Sequence, residues 1–314
     1  MKELYLGRYI ITNPCFIGFQ IRLVLSGNEM TQLHRDEIRT KEVIEWKGIH
    51  LLHFSNSSCS QKTRIFLNLK GIDWISHSVN LVTDENYSDW FLGINPRALV
   101  PVLVDDGNVH IESNDIIQYL ENKFPEPSLI PKEYIESIPK LLREEDDLHI
   151  DIRNISFRFL FGKIGKKKDS SIKKLEEDSG TIQGKEDSHK AMGLTFYKDF
   201  NEEGITDESV IQSVSRFKKI YDDFESNLSK QPYLLGKQIS LLDIAWFIYT
   251  HRLFLSGYPF KKLHPKVLQW YKHLLNKKEF SKEVKEPIIL KAVRSVTRVQ
   301  DKIAGTALSK ISNL

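Results

Sequence analysis

With 314 residues, 40% of them hydrophobic and 11% aromatic, the chain is long enough to bury a substantial core and to divide into two domains. Its 45 lysines and arginines against 42 aspartates and glutamates leave a formal charge of only +3, which excludes a broad basic field for nucleic acid or an anionic membrane and favours a small soluble substrate. The two cysteines, Cys15 and Cys59, stand far apart in segments of different character. No disulfide framework is expected, a reducing compartment fits, and no His/Cys spacing predicts a metal site.

The first thirty residues are apolar, but Arg8, Asn13, Pro14, Gln20 and Arg22 interrupt them well short of a membrane span, and no secretory cleavage pattern follows. Residues 1–47 read as an N-terminal extension, with Met30 an alternative start to Met1. Ile49 to Phe54, IHLLHF, is a strand candidate that runs into FSNSSCSQKTRI. From Ser60 the apolar residues Ile65, Phe66, Leu67 and Leu69 recur at three- and four-residue spacing and stop at Gly71, which predicts a helix with a glycine C-cap. Trp74 to Leu81 alternates like a second strand, and Asp89 to Leu92 predicts a short helical turn before the loop INPRAL. VPVLV, the tight-turn signal of DDGN, and VHIE predict a hairpin, and a helix follows from Ser113 to about Phe124. The order is β-α-β-α-β-β-α.

Pro125, Pro127 and Pro131 then mark a linker at 127–137, after which only helical patterns appear. Helices are predicted over Ile138 to about Leu160, Thr206 to Leu228, Ser240 onward and Pro265 to Leu275, within a helical domain spanning 138–285. Ser240 and Asp243 form a capping signature, with Ile239 and Ile244 as a hydrophobic staple. The Gly- and Lys-rich stretch 162–205 reads as a polar, solvated insertion. The tail 286–314 reads as a further surface helix, with Arg294, Arg298 and Lys302 at i, i+4 and i+8.

Three stretches, in this order, resemble the soluble glutathione transferases: SSCSQKTRIFLNLKG, NPRALVPVLVDDG and ESNDIIQYLENKFPE. The resemblance covers roughly Ile49 to Phe280 without the insertion, and it is mixed. SSCS is similar to the zeta class, SxCSxKTR to the hydroquinone reductive dehalogenases, and SDWFLGINPRALVPVLVDDGNVHIES to the bacterial aryl-ether-cleaving transferases. It implies an α/β plus all-α architecture. A thioredoxin-like N-terminal domain with a mixed four-stranded sheet, here 48–126, is followed by an all-helical C-terminal domain. It further implies glutathione as co-substrate, no metal, a small electrophilic and possibly aromatic second substrate, a homodimer, a cytoplasmic location, and neither nucleic-acid binding nor stable membrane insertion.

The resemblance and the chemistry of the tripeptide assign roles. Ser113, at a helix N-terminus, is suited to the γ-glutamyl carboxylate, where backbone N–H groups and the dipole favour an anion, and Glu112 to the ammonium. Val100, before a proline implied to be cis at Pro101, would pair through its backbone with the cysteinyl residue. A thiol of pKa about 8.5 needs a donor to become thiolate at neutral pH, and Ser57, Ser58 and Cys59 stand at the start of the first helix for that task. Spacing does not separate Ser57 from Ser58, and Cys59 is either a second thiol or an inert helix residue. Lys62 and Arg64 are expected on the surface, Arg97 in a loop-shaping role, and Asp115 either near the ammonium or complementing the dipole. Asp146, Asp147, His149, Arg153, Trp246, Tyr249 and His251 are candidates for the second substrate without motif support. The alternative functions are a glutathione-dependent isomerase, a reductive dehalogenase or thiol transferase using Cys59, and a non-catalytic interaction module.

Overall fold

A computed structural model of the chain describes residues 30–185, 187–285 and 288–314, the side chains at 163 and 288–293 excepted. The apolar stretch up to residue 29, including Cys15, lies outside the described residues. Strands β1 (Ile49–His53), β2 (Ile75–Ser78), β3 (Val102–Asp105) and β4 (Asn108–Ile111) form a sheet of order β2-β1-β3-β4. β1 runs parallel to β2 and antiparallel to β3, and β3 pairs antiparallel with β4. The parallel step is made by helix α1 (Ser58–Lys70), because parallel neighbours need a crossover. The antiparallel step is the predicted tight turn, where Asp106 and Gly107 both take positive φ. A Cβ on Gly107 would lie 2.0 Å from the Ile44 carbonyl oxygen, so this position has no room for a side chain.

Alternation along the strands decides which layer each residue enters. Leu51 and Leu103 face α1 and α3 (Ser113–Lys123), packing on Ile65, Phe66, Ile116 and Leu120. Leu52, Val102, Val104, Val109 and Ile111 face the other way, toward Phe91 of the short α2 (Asp89–Leu92), Ile94 and Val100. That second layer also takes in Leu33, Ile38 and Val43. The stretch 31–47, expected as part of an extension, is therefore integral to the sheet domain. It also covers the β4 edge: Leu33 N–H donates to Val109 O at 3.0 Å and Ile111 N–H to Thr31 O at 3.0 Å.

The remainder is helical. α4 (Ile138–Asp146) and α5 (His149–Ser156) replace the single helix expected over Ile138 to Leu160, which breaks at Asp147–Leu148 and ends in a π turn at Phe157–Phe161. α8 (Asp207–Leu228) and α9 (Leu241–Ser256) follow. α10 (Phe260–Leu263), α11 (Pro265–Leu275), α12 (Lys278–Ser281), α13 (Ile288–Ala304) and α14 (Leu308–Ile311) complete the domain. In α9 every residue except Phe254 is buried, as an apolar helix at the centre of a bundle must be. Its start is the expected capping box, and the buried Asp243 carboxylate also accepts from Leu234 N–H at 2.9 Å and Trp270 Nε1–H at 2.8 Å. No described helix is long and apolar enough to cross a membrane.

The stretch 162–205 is not the solvated loop its composition suggested. It forms α6 (Asp169–Glu177) and α7 (Ser188–Glu202), and buries Ile172, Leu175, Phe196 and Phe200. Ion pairs fix it to the sheet domain: Lys167–Asp84 at 2.8 Å, Arg39–Asp178 at 2.5 Å and Arg97–Asp187 at 2.5 Å. Its lysines and aspartates are thus used as anchors, and Ile182 joins the outer layer of the sheet.

The two domains meet across a buried ion pair. Lys62 of α1, expected at the surface, is 1% exposed and donates to Glu145 of α4 at 2.8 Å and to Asn114 Oδ1 of α3 at 2.9 Å. Burial acts to neutralise the ammonium, but the Glu145 charge prevails and holds the Lys62 pKa above its ordinary value. Glu145→Ala would leave that ammonium buried without a counter-charge. Urea denaturation is expected to show a loss of about 3–5 kcal/mol, and much less for the apolar pair Lys62→Met/Glu145→Leu. Equal losses for the two variants would contradict the account.

Candidate active site

The turn between β1 and α1 carries the serine cluster, and two buried arginines hold it. Arg64, also expected at the surface, donates to Phe54 O at 3.2 Å and Ser55 O at 3.0 Å and is anchored by Glu283 at 2.5 Å. Arg252 of α9 donates to Asn56 O at 2.6 Å, Gln61 Oε1 at 3.0 Å and Ser58 Oγ at 3.0 Å. Three successive carbonyls, at 54, 55 and 56, therefore point into guanidinium groups. Arg64 also donates to His53 at 3.1 Å, and burial together with the Arg64 charge lowers the His53 pKa to about 4, so the ring is neutral at pH 7.

Ser57 is the N-cap of α1 and accepts from Ser60 N–H at 3.3 Å. Its hydroxyl also lies 3.5 Å from Val100 O, across the cis Val100–Pro101 peptide bond. Ser57 and Ser58, which spacing left equivalent, are thus distinguished: Ser58 is held by the Arg252 cation, whereas Ser57 borders the backbone edge at Val100. Cys59, partly exposed, stands in the first helical turn. Desolvation pushes its thiol up; Lys62 and Ser113 pull it down, while Glu145 and Asp146 add to the rise. A reactive cysteine needs the reverse.

Ser113, 5% exposed, opens α3, and Glu112 is its N-cap residue with φ 67. The Glu112 carboxylate forms an ion pair with Arg97, whose guanidinium also bonds Asp187 through Nε at 3.0 Å and Nη2 at 2.5 Å. Arg97 thus joins the sheet domain to α7. Asp115 accepts from Thr31 N–H at 2.9 Å and its hydroxyl at 2.8 Å. A cleft of about 230 Å³ opens here, bounded by Glu112, Asp115, Asp146, Arg97, Arg143 and His189. A larger opening of about 630 Å³, bordered by Phe254, Tyr271, Val284 and Arg294, shares none of these residues. Among the described residues no group of three or more His, Cys, Asp or Glu side chains could hold a metal ion.

Of the residues considered for a second substrate, Trp246, Tyr249 and His251 belong to the core. Trp246 packs edge-on against Phe224, Tyr249 stacks beneath the Lys62 ammonium at 5.7 Å, and His251 meets Tyr271 Oη at 2.8 Å. His149 meets Tyr249 Oη at 3.3 Å, and burial lowers its pKa well below the ordinary value. Arg252 was missed altogether. Its signal was a lone arginine in LLDIAWFIYTHRLFLS, since a cation inside a largely apolar helix must find partners.

Two family models match: the glutathione S-transferase N-terminal domain over residues 56–123 and the C-terminal domain over residues 203–273. Over these residues the chain carries both domains of a glutathione S-transferase. It is 45% identical over 83 residues to a zeta-class glutathione S-transferase of Euphorbia esula, covering 26% of this chain and 37% of that one. It is 42% identical over 83 residues to a maleylacetoacetate isomerase of Pseudomonas aeruginosa, covering 26% and 39%. The chain therefore spans well under half the length of these relatives. Among solved structures it is similar to the beta-etherase LigF of Sphingobium sp. strain SYK-6, with a TM-score of 0.63 and 24% identity over 75% of this chain and 98% of that one. That likeness establishes the fold, a thioredoxin-like domain followed by a helical one.

At pH 7, iodoacetamide is expected to alkylate the Cys59 peptide more slowly than it alkylates free cysteine, as followed by mass spectrometry. The rate should rise only above the ordinary thiol range. Faster reaction than free cysteine would contradict the raised thiol pKa.

Proposed function

We propose that the protein is a glutathione transferase that uses Ser57 to stabilise the thiolate of bound glutathione for attack on a small electrophile. The observation that carries this reading is the approach of Ser57 Oγ to Val100 O at 3.5 Å, which puts a hydroxyl beside the backbone edge suited to the cysteinyl residue of the tripeptide. Val100, Pro101, Glu112 and Ser113 would then hold the peptide, with its γ-glutamyl end toward the start of α3. Its sulfur would lie at the N-terminus of α1, where the helix dipole and the Ser57 O–H both favour the anion. The thiol proton passes to solvent, the sulfur forms the new C–S bond, and the leaving group departs with the electron pair of the bond that breaks.

In this reading Ser58 is a positioning residue, tied to the helical domain through Arg252, and Cys59 does not attack. A second reading, glutathione-dependent isomerisation with addition and later loss of the same sulfur, is favoured by the 42% identity over 83 residues to a maleylacetoacetate isomerase. Both readings need the same thiolate. A homodimer and a cytoplasmic location follow from the family resemblance, and light scattering of the purified protein tests the former.

Calorimetric titration with glutathione is expected to give millimolar or tighter binding, and no binding would remove both readings. Ser57→Ala is expected to lower kcat/KM for a halogenated aromatic acceptor by about 10²-fold, as for loss of one donor to a developing anion. Cys59→Ala should leave it little changed. Disulfide exchange that requires Cys59, without conjugation, would instead support the thiol-transferase alternative. Turnover of a cis-enone diacid without a net thioether product would select isomerisation.

A further inference from the structure

On the outer face of the sheet, two histidines turn their rings toward each other. His50 lies in β1 on the same face as Leu52, and His77 of the edge strand β2 pairs with Leu52 in the ladder, so strand alternation puts both rings on the side away from α1 and α3. His50 Nδ1 and His77 Nε2 are 2.9 Å apart. His50 Nε2 lies 2.9 Å from Lys47 O, and because a carbonyl only accepts, that nitrogen carries the proton. The neutral His50 ring therefore presents the lone pair of Nδ1 to His77. Trp46 lies over the pair: its ring centroid is 4.6 Å from that of His50 and 4.3 Å from that of His77, with interplanar angles of 24° and 11°. The two imidazoles stand at 20° to each other. Neither ring can swing out without losing the indole, and the Lys47 bond fixes which nitrogen of His50 faces inward. His77 is partly exposed, which gives a small ion access from solvent.

These are the conditions that two imidazoles must meet to share a transition-metal ion: a tautomer held from behind by a carbonyl, fixed ring planes, and nitrogens directed at one point. Their spacing also discriminates between metals. With metal–nitrogen bonds of about 2.0–2.1 Å, nitrogens 2.9 Å apart subtend an angle of about 90° at the ion, whereas a tetrahedral ion spreads them to about 3.3 Å. A right angle belongs to the tetragonal geometry of Cu(II) and Ni(II), and Cu(II) heads the affinity order for such ligands. We propose that His50 and His77 form a site for a tetragonal divalent transition-metal ion, Cu(II) in preference to Zn(II), with water in the remaining positions. On metal entry the proton that His77 Nε2 donates to His50 moves to His77 Nδ1, the other tautomer of the same neutral ring, so no net proton is released. The ion adds two coordinate bonds to the ladder between β1 and the edge strand β2. The site uses none of Ser57, Val100, Glu112 or Ser113 and is independent of the glutathione reading.

The test titrates Cu(II) alone into the untagged full chain at pH 7 and follows tryptophan fluorescence together with the electron paramagnetic resonance of the bound ion. Wild type is expected to show saturable quenching, superhyperfine coupling to two imidazole nitrogens, and tighter binding of Cu(II) than of Zn(II) in competition. His77→Ala is expected to weaken Cu(II) by about tenfold or more, at least the loss that follows removal of an outer-shell partner, and to leave coupling to one nitrogen. His50→Ala should do the same, while His34→Ala, at an exposed histidine elsewhere, should change nothing. Trp46→Phe should keep the two-nitrogen spectrum and lose most of the quenching. No saturable binding, a wild-type spectrum with fewer than two imidazole nitrogens, or wild-type affinity in His77→Ala overturns the site and leaves a hydrogen-bonded pair only. Zn(II) binding as tight as Cu(II) overturns the tetragonal geometry. Because the wild-type spectrum and the partly exposed His77 decide the question, a folding failure of His50→Ala does not remove the test.

Discussion

Two buried arginines organise the centre of this protein. Arg64 from α1 and Arg252 from α9 take the carbonyls of residues 54 to 56 as their acceptors, so the turn that starts α1 is held from beneath by positive charge. Neither guanidinium can lose its proton or be buried without acceptors, and the turn carbonyls supply them. Ser57 and Ser58 consequently stand at fixed positions, one toward Val100 and one toward the helical domain. Because Arg252 belongs to the second domain, the geometry of the serine turn depends on how the two domains pack.

The Lys62–Glu145 pair serves the same interface at greater depth. It joins α1 to α4, and through Asn114 it reaches the residue next to Ser113. The N-termini of α1 and α3, the two helix ends suited to an anionic ligand, are therefore tied to a common buried charge. Such a pair contributes little net stability over an apolar replacement, but removing one partner alone is costly. Here its clearest consequence is alignment. The cleft at α3 opens beside it, between elements from the sheet domain, from α4 and from α7.

Much of the N-terminal domain was legible because local patterns agree with the fold. The alternation of Val102 to Val104, the Asp106–Gly107 turn and the helix closed by Gly71 each follow from short-range sterics and side-chain period. The Ser240–Asp243 cap was legible for the same reason, since its partners are three residues apart. Lys62, Arg64 and Arg252 were not, because a charged residue in a helix declares itself buried only when its partner is known. Those partners lie 83, 219 and 194 residues away. The segment 162–205 misled for a related reason: its ordering relies on ion pairs to Asp84, Arg39 and Arg97, and its apolar residues are spread thinly over two helices.

By itself the sequence determined the order of elements in the sheet domain from β1 to α3, the place of the serine turn before α1, and the pairing of a Val-Pro strand start with a Glu-Ser helix start. Those features depend on backbone preference and on neighbours within a few residues. Only the tertiary structure decided which serine faces Val100, that desolvation raises the Cys59 thiol pKa, and that Glu112 is already paired with Arg97. Each of these depends on the charge and solvent exposure around one atom, set by residues distant in the chain and adjacent only once both domains have packed.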